Sequence, residues 1–190
     1  RLYHTPAAGT DGVDRAFLPK GVPLCCCFGH EKPIAEYVMT ALLLRHVPLP
    51  AADRDLRQGK WTYWAGTPGA QRTELGDTTI GLLGFGHIGR EVAHRAKAFG
   101  LKVHVANRSP VAPSQIVDRA FGLDRLGAFM AAADSIVVSL PLTPETRGIV
   151  GAAALAAMRR DAVIVNVGRG PVIDETALFE ALAARRIGGA

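Results

Sequence analysis

The sequence predicts a doubly wound α/β domain, a parallel sheet with helices packed on both of its faces. From residue 78 onward, apolar runs of strand length alternate with segments of helical periodicity, as βαβ units require. The 190 residues are 48% hydrophobic and 21% charged, which supplies a core and excludes a disordered chain. No apolar stretch approaches the roughly 18 residues that a membrane span needs, and no secretory signal is evident, so we expect a soluble protein without a membrane partner.

The charge balance limits the possible partners. The formal net charge is +5, but the arginines are scattered and are not interleaved with aromatic residues. This distribution disfavours a nucleic-acid partner, whereas a phosphate-bearing small molecule fits the charge.

The three cysteines are consecutive, at Cys25, Cys26 and Cys27. Adjacent cysteines rarely reach disulfide geometry, and neither C-x-x-C spacing nor a second cluster of metal ligands accompanies them. We therefore interpret them as three small residues in a buried strand of a cytoplasmic protein, not as a redox or metal site.

The pattern before residue 78 is less regular than the pattern after it. Residues 1–30 contain short strand-like pieces interrupted by Gly and Pro. A helix is predicted over 33–45, because Pro33 suits a first turn and five apolar residues share a face: Ile34, Tyr37, Val38, Ala41 and Leu42. Pro48 and Pro50 are expected to end this helix, leaving a polar connection over 51–77.

After residue 78, strands and helices are predicted in alternation. The strands cover 78–83, 102–106, 135–140 and 162–167, and the last two read as fully buried. Helices are expected after the first strand, over 123–133 and over 151–159. Asp174 is expected to cap a final helix whose last turn carries Arg185 and Arg186.

A glycine motif, Gly84-Phe85-Gly86-His87-Ile88-Gly89, joins the first of these strands to the helix that follows it. In that context each glycine has a purpose: Gly84 permits a tight turn, Gly86 lets the backbone approach a pyrophosphate, and Gly89 lets the helix pack closely on the strand. The start of the helix presents free N–H groups and partial positive charge to the phosphates. The motif therefore predicts a Rossmann-like dinucleotide site.

The end of the second strand indicates which dinucleotide is preferred. Dinucleotide folds usually keep an acidic residue about 20 residues beyond the motif, where it binds the ribose diol and repels a 2′-phosphate. This chain has Asn107, Arg108 and Ser109 instead, which removes the repulsion and supplies two phosphate partners. We expect NADPH to be preferred; the alternative is that Arg108 faces solvent and NAD binds through Asn107.

Three signatures in this order resemble the D-isomer-specific 2-hydroxyacid dehydrogenases. They are the glycine motif, residues 138–146 (VSLPLTPET) and residues 165–174 (VNVGRGPVID), and segments 7–14 and 35–38 resemble the same family. The resemblance implies an enzyme that transfers a hydride between NAD(P)H and a small 2-keto or D-2-hydroxy acid, with the glyoxylate/hydroxypyruvate reductase type favoured. It also implies a homodimer formed through the cofactor domain. Trp61 and Trp64 are candidate contact residues; the equal alternative is that they cover the core.

The same resemblance implies a role for individual residues. Leu140 and Pro141 would lie beside the adenosine, Thr146 near the phosphates, and Val167, Gly168 and Arg169 along the nicotinamide. The expected cofactor-binding residues are thus Gly84, Phe85, Gly86, His87, Ile88, Gly89, Asn107, Arg108, Ser109, Leu140, Pro141, Thr146, Val167, Gly168 and Arg169. Arg169 matches the catalytic arginine of the family and would hold the substrate carboxylate, together with backbone N–H groups at Ala8 and Gly9. The structural alternative for Arg169 is a salt bridge or a contact with a helix end.

The family pattern predicts that this chain is a fragment. Residues 1–30 would be a remnant of the substrate-binding domain, 31–60 the connecting helix and linker, and 61–190 a dinucleotide-binding domain incomplete at its C-terminus. The catalytic histidine and its orienting glutamate would lie beyond Ala190, and none of the six histidines present is assigned that role. Because a fold does not fix a function, a non-catalytic NAD(P)-sensing interaction protein stays open as the alternative.

Overall fold

The computed structural model describes residues 1–6, 8–63, 66 and 73–190. Its amino-terminal segment contains two short parallel strands, β1 (Tyr3–His4) and β2 (Leu24–Cys25). A 3-10 turn at Arg15–Phe17 lies between them in sequence, and Asp14 caps it by accepting the Ala16 N–H at 2.9 Å.

The cysteines differ from the sequence-based expectation. Cys25 is exposed, and Cys26 and Cys27 are only partly buried, so the prediction of a buried strand is wrong. The reason is that β2 pairs with β1 over only two residues, which leaves one side of the chain open to solvent.

The first long helix, α1 (Glu31–His46), confirms the predicted helix and keeps Pro33 in its first turn. Its buried face consists of Ala35, Val38, Met39 and Leu42. Tyr37, one of the five apolar residues expected to share a face, is 65% exposed and lies at the solvent side of that face.

A second helix, α2 (Leu49–Arg57), occupies part of the segment that was expected to be a polar connection. Pro50 lies in its first turn, where a missing N–H costs no intrahelical hydrogen bond. Pro50, expected to end α1, therefore lies at the start of a new helix. Among the described residues, no helix combines the length and apolar character needed to cross a membrane.

Five parallel strands form the main sheet, in the order β5-β4-β3-β6-β7. Their bounds are β3 (Thr79–Leu83), β4 (Lys102–Asn107), β5 (Arg119–Gly122), β6 (Ser135–Val138) and β7 (Val163–Asn166). Counted from the first strand, this is the order 3-2-1-4-5 of dinucleotide-binding folds. The predicted doubly wound sheet is confirmed, although the sequence did not indicate β5.

Burial in the sheet follows strand position. All four residues of the interior strand β6 are buried, as predicted. Strand β7 is only partly buried and Asn166 is exposed, so the expectation of a second fully buried strand is wrong. Strand β7 pairs with β6 on one side. On its other side, Gly189 is the only described residue that forms a bridge, to Val163.

Besides α1, the helices on the sheet are α3 (His87–Ala98), α4 (Leu126–Ala131), α5 (Ala152–Ala157) and α6 (Glu175–Ala183). Apolar residues of α1 and α3 form one core with Ile80 and Leu82, and those of α4, α5 and α6 form another with Leu83. Alternate side chains of β3 thus pack into the cores on the two faces of the sheet, as a doubly wound sheet requires.

Helix α6 begins as predicted and ends earlier than predicted. Asp174 accepts the Ala177 N–H at 3.0 Å and caps the helix. Its last residue is Ala183, so the placement of Arg185 and Arg186 in the last turn is wrong. Arg185 has a φ of +50° and reverses the chain, a position that usually carries glycine.

Candidate cofactor and substrate site

The carboxyl ends of β3 and β6 form the centre of the site. These neighbouring strands continue into connections on opposite faces of the sheet, which opens a crevice between them. Gly84 follows β3 and Ser139 follows β6, and the Ser139 hydroxyl donates a hydrogen bond to the Gly84 carbonyl at 3.3 Å. Ligands of open α/β sheets bind in this kind of crevice.

The three glycines of the motif have different surroundings. Gly84 has a φ of +104°, and a Cβ there would lie 3.0 Å from the Ser139 hydroxyl. A Cβ on Gly89 would lie 2.5 Å from the Gly84 carbonyl oxygen, whereas one on Gly86 would have no atom within 4 Å. Gly84 and Gly89 are therefore required by the fold, and Gly86 leaves the backbone open to an approaching ligand.

The amino end of α3 is suited to a diphosphate. Gly86 is its N-cap and provides no side-chain cap, and the first turn carries no acidic residue. Arg90 is the first residue whose N–H donates to a carbonyl of this helix, at Gly86, so the preceding amides remain free to bind an anion. The residues present thus fit a dinucleotide diphosphate.

Three side chains of the motif differ in exposure. Phe85 is buried beneath Arg90, whose guanidinium carbon lies 4.5 Å from the ring centroid. His87 is exposed and its ring lies against that of Phe28, 5.4 Å between centroids. Ile88 is partly buried against the core shared by α1 and α3. Only His87 is therefore turned outward beside the glycines.

The end of β4 is joined to the glycine loop. The Asn107 side-chain oxygen accepts the Phe85 N–H at 3.3 Å, and its side-chain nitrogen donates to the Ser109 carbonyl at 3.0 Å. Arg108 and Ser109 are exposed. Asn107 is thus engaged by the protein itself, and the two residues after it are open to a ligand.

The loop after β6 faces the loop after β4. Leu140 is buried and Pro141 is exposed. The Thr146 hydroxyl donates to the Pro141 carbonyl at 2.6 Å and accepts the Thr143 N–H at 2.8 Å, so it closes the loop on itself. A hydrogen bond from the Thr143 side chain lowers the pKa of Glu145, and the charge of Arg108 contributes to the same shift.

A tight turn after β7 leads to Arg169. The Asn166 side chain accepts the Gly168 N–H at 3.0 Å and donates to the Arg169 carbonyl at 3.1 Å. A Cβ on Gly168 would lie 2.6 Å from the Leu140 carbonyl oxygen, so the turn packs directly on the loop after β6. Val167 donates its N–H to the Val138 carbonyl at 3.0 Å. Sequence analysis missed Asn166, although an Asn two residues before a glycine is a turn signal.

The Arg169 side chain meets the amino-terminal segment. Its Nε donates to both carboxylate oxygens of Asp11, at 3.1 and 3.0 Å. A Cβ added to Gly9 would overlap the Arg169 Nη2 atom. Ala8 is exposed and Gly9 is partly buried beside it, whereas Ala7 and Trp64 lie outside the described residues.

Asp11 was missed by sequence analysis, because a pair of residues 158 positions apart leaves no local pattern. The hydrogen bond from Arg169 is the largest cause that lowers the pKa of Asp11, so the Asp11 carboxylate is ionised at neutral pH. The structure thus brings Arg169, Gly9 and Asp11 together.

Comparison with known proteins gives one consistent family. A model of the D-isomer specific 2-hydroxyacid dehydrogenase NAD-binding domain matches residues 39–190. The chain is 36% identical over 157 residues to a D-3-phosphoglycerate dehydrogenase of Methanocaldococcus jannaschii, a match that covers 81% of this chain and 29% of that protein. It is 34% identical to a hydroxypyruvate reductase of Thermotoga maritima, with 94% and 56% covered.

A solved structure has a similar fold. The NADPH-dependent glyoxylate/hydroxypyruvate reductase of Sinorhizobium meliloti, in complex with NADP and sulfate, superposes with a TM-score of 0.83 at 30% identity. That match covers 100% of this chain and 60% of the solved chain. The chain spans from 29% to 60% of the lengths of the relatives named here. It belongs to the D-isomer specific 2-hydroxyacid dehydrogenase family, of which it carries the NAD-binding domain.

Proposed function

We propose that the protein is an NAD(P)H-dependent oxidoreductase that interconverts a small 2-keto acid and its D-2-hydroxy acid, of the glyoxylate/hydroxypyruvate reductase type. The observation that carries this proposal is the juxtaposition of the Arg169 guanidinium with Gly9, beside the crevice that holds the glycine loop. The named relatives act as dehydrogenases or reductases, which supports an enzyme over a cofactor-sensing interaction protein.

The cofactor would be held mainly by backbone. The free amides at the start of α3 and the open face of Gly86 would bind the diphosphate, with Thr146 near the phosphates. Leu140 and Pro141 would lie beside the adenosine. Val167 and Gly168 would line the nicotinamide side. A bound reduced nicotinamide supplies the hydride for the reaction.

Binding of NADPH in preference to NADH is the finer part of the proposal. Arg108 and Ser109 are exposed at the end of β4 and can both bind a 2′-phosphate. Asn107 replaces the acid that would repel it. The bound NADP of the Sinorhizobium meliloti reductase supports this preference.

The substrate carboxylate would bind beside the contact between Arg169 and Gly9, where the guanidinium and the backbone N–H groups at Ala8 and Gly9 could both reach it. A planar guanidinium can hold a carboxylate and stabilise negative charge that develops on the neighbouring carbonyl oxygen. Close approach of backbone to the carboxylate requires a small residue, as Gly9 is. We place the proton donor, a histidine oriented by a glutamate, outside these 190 residues, and residues 1–30 in the substrate domain.

A homodimer is the proposed assembly, and α2 is its candidate contact. Leu49 and Leu56 on α2 and the nearby Trp61 are between 55% and 70% exposed, and they line one groove together with Tyr63. Such a concentration of large exposed apolar side chains marks an interaction surface. A second copy of the chain would cover them.

The test is a reductase assay of the full-length protein against glyoxylate, hydroxypyruvate and bulkier 2-keto acids, with NADPH and with NADH. We expect turnover of the small substrates and a higher kcat/KM with NADPH. The 190-residue chain alone should show negligible turnover. Substantial turnover by this chain alone would contradict the placement of the proton donor, and no turnover by the full-length protein on any 2-keto acid would overturn the proposal.

A further inference from the structure

We propose that Asp11 is a positioning residue for Arg169: it occupies the Nε side of the guanidinium, so that a substrate carboxylate is received by the terminal Nη edge. This inference rests on the proposed function. It adds to that function a residue and a direction of binding, which the family motif around Arg169 does not specify.

The hydrogen bonds of the guanidinium define its free edge. The single N–H of Nε is shared between the two oxygens of Asp11, at 3.1 and 3.0 Å. Nη1 donates to the Gly168 carbonyl at 3.3 Å, which turns the planar group back toward its own turn. An incoming carboxylate that used Nε would have to displace Asp11, whereas the Nη edge keeps donors for a two-point contact.

The surroundings of Nη2 identify where this edge lies. A Cβ on Gly9 would overlap Nη2 and would also lie 2.6 Å from an Asp11 carboxylate oxygen. Glycine is therefore the one residue type that fits at position 9 beside the Asp11–Arg169 pair. Nη2 packs against the backbone of Gly9, so the open part of the Nη edge borders the segment that is proposed to receive the substrate carboxylate.

The pair is held from both ends. The Asn166 amide fixes the backbone turn that carries Arg169, and Asp11 fixes the far end of its side chain. Both side chains are 37% exposed, so a stabilising surface ion pair alone would contribute little to folding. Orientation of a flexible arginine is the larger consequence, because a pre-organised fork loses less entropy when it binds a ligand.

The experiment uses the full-length protein saturated with NADP⁺, with oxalate as a non-reacting probe of the carboxylate site. Asp11→Ala should weaken oxalate binding, measured by calorimetry, by about tenfold, and Asp11→Asn should weaken it less because one acceptor oxygen remains. Asp14→Asn removes a carboxylate from the same segment that caps a local turn, and it should leave oxalate binding unchanged. The dissociation constant of NADPH should be the same in all of these variants.

A double-mutant cycle separates positioning from a general effect on the segment. In an Arg169→Lys background, Asp11→Ala should change oxalate binding by less than about twofold, because there is no Nε to hold. Equal losses in both backgrounds, or equal binding by Asp11→Ala and Asp14→Asn in an active enzyme, would overturn this inference and leave the proposed function standing. A parent enzyme without reductase activity would overturn the proposed function first, and this inference with it.

Discussion

Phe85 donates its backbone N–H to the side-chain oxygen of Asn107 at 3.3 Å, so one hydrogen bond joins the glycine loop to the end of β4. A carboxylate could accept the same hydrogen bond. It could not donate to the Ser109 carbonyl, as the Asn107 side-chain nitrogen does at 3.0 Å. Asn107 thus holds the glycine loop and, because it is uncharged, places no negative charge near the proposed 2′-phosphate site.

We expect Asn107→Asp to lower the affinity for NADPH by at least about tenfold, because a negative charge would face the 2′-phosphate. The affinity for NADH should change much less, since it has no phosphate there. Fluorescence titration of both reduced cofactors measures the ratio. Ser109→Ala is the control for loss of one neutral partner, and an unchanged ratio in Asn107→Asp would show that the phosphate does not bind near this residue.

Alanine substitutions at two glycines of the motif should distinguish an effect on folding from an effect on cofactor binding. Gly84→Ala puts a Cβ at a φ of +104° and within 3.0 Å of Ser139, so we expect it to lower the free energy of unfolding by about 1–3 kcal/mol. Gly86→Ala meets no protein atom, so the free energy of unfolding should stay within about 0.5 kcal/mol of the parent value.

The affinity for NADPH should nevertheless fall in Gly86→Ala, because the methyl group would stand where the diphosphate approaches. Thermal unfolding and cofactor titration of the same two preparations give both quantities. Full NADPH affinity in a stably folded Gly86→Ala protein would contradict the assigned role of this loop.

His104 on β4 should make stability depend on pH. Burial is the main cause that lowers its pKa, and the positive charge of Arg119 lowers it further, while Asp118 opposes the shift. Its Nδ1 is buried without a hydrogen-bond partner among the described residues. The unfolded chain therefore binds a proton more readily than the folded chain does.

This difference in proton binding determines how the free energy of unfolding changes with pH. The free energy of unfolding should be highest above about pH 6.5, the ordinary histidine value, and should fall as the pH drops below it. His104→Phe keeps the ring packed near Phe121, whose centroid lies 5.9 Å away, and should flatten this dependence. Denaturant unfolding between about pH 5 and pH 8 measures the pH dependence of the free energy of unfolding. His94→Gln, on the exposed side of α3, is the control and should leave this dependence unchanged. An identical slope in His104→Phe and the parent would exclude His104 as its source.

The exposed face of α2 should control assembly. Leu56→Asp introduces a charge into the groove lined by Leu49 and Trp61, and we expect the full-length protein to sediment as a monomer. Phe179→Asp is the matched control, because Phe179 is 72% exposed on α6 instead. Dissociation by the control alone, or by both changes, would point to a different contact surface.

The sequence predicted the elements whose signals are local. Strand β3, the glycine loop and α3 follow from a buried apolar run, spaced glycines and helical periodicity, and all three are present. The cap of α6 by Asp174 was predicted for the same reason. Strand β5 was missed because it is a four-residue edge strand with Arg119 at one end and glycine at the other.

Other features depend on distant residues or on partners that periodicity does not reveal. Pro50 was read as a terminator because proline ends a helix as readily as it begins one. Burial of the cysteines was overestimated because their small apolar character says nothing about how many strands surround them. The Asp11–Arg169 pair joins opposite ends of the chain, so only a fold that brings the segments together can reveal it.

The most direct test of the account is a crystal structure of the protein soaked with NADPH. We predict density for the diphosphate against the first-turn amides of α3, beside Gly86, with the Arg169 side chain directed toward the nicotinamide end of the crevice. An empty crevice at full cofactor occupancy elsewhere, or an Arg169 side chain turned away from bound cofactor, would contradict the account.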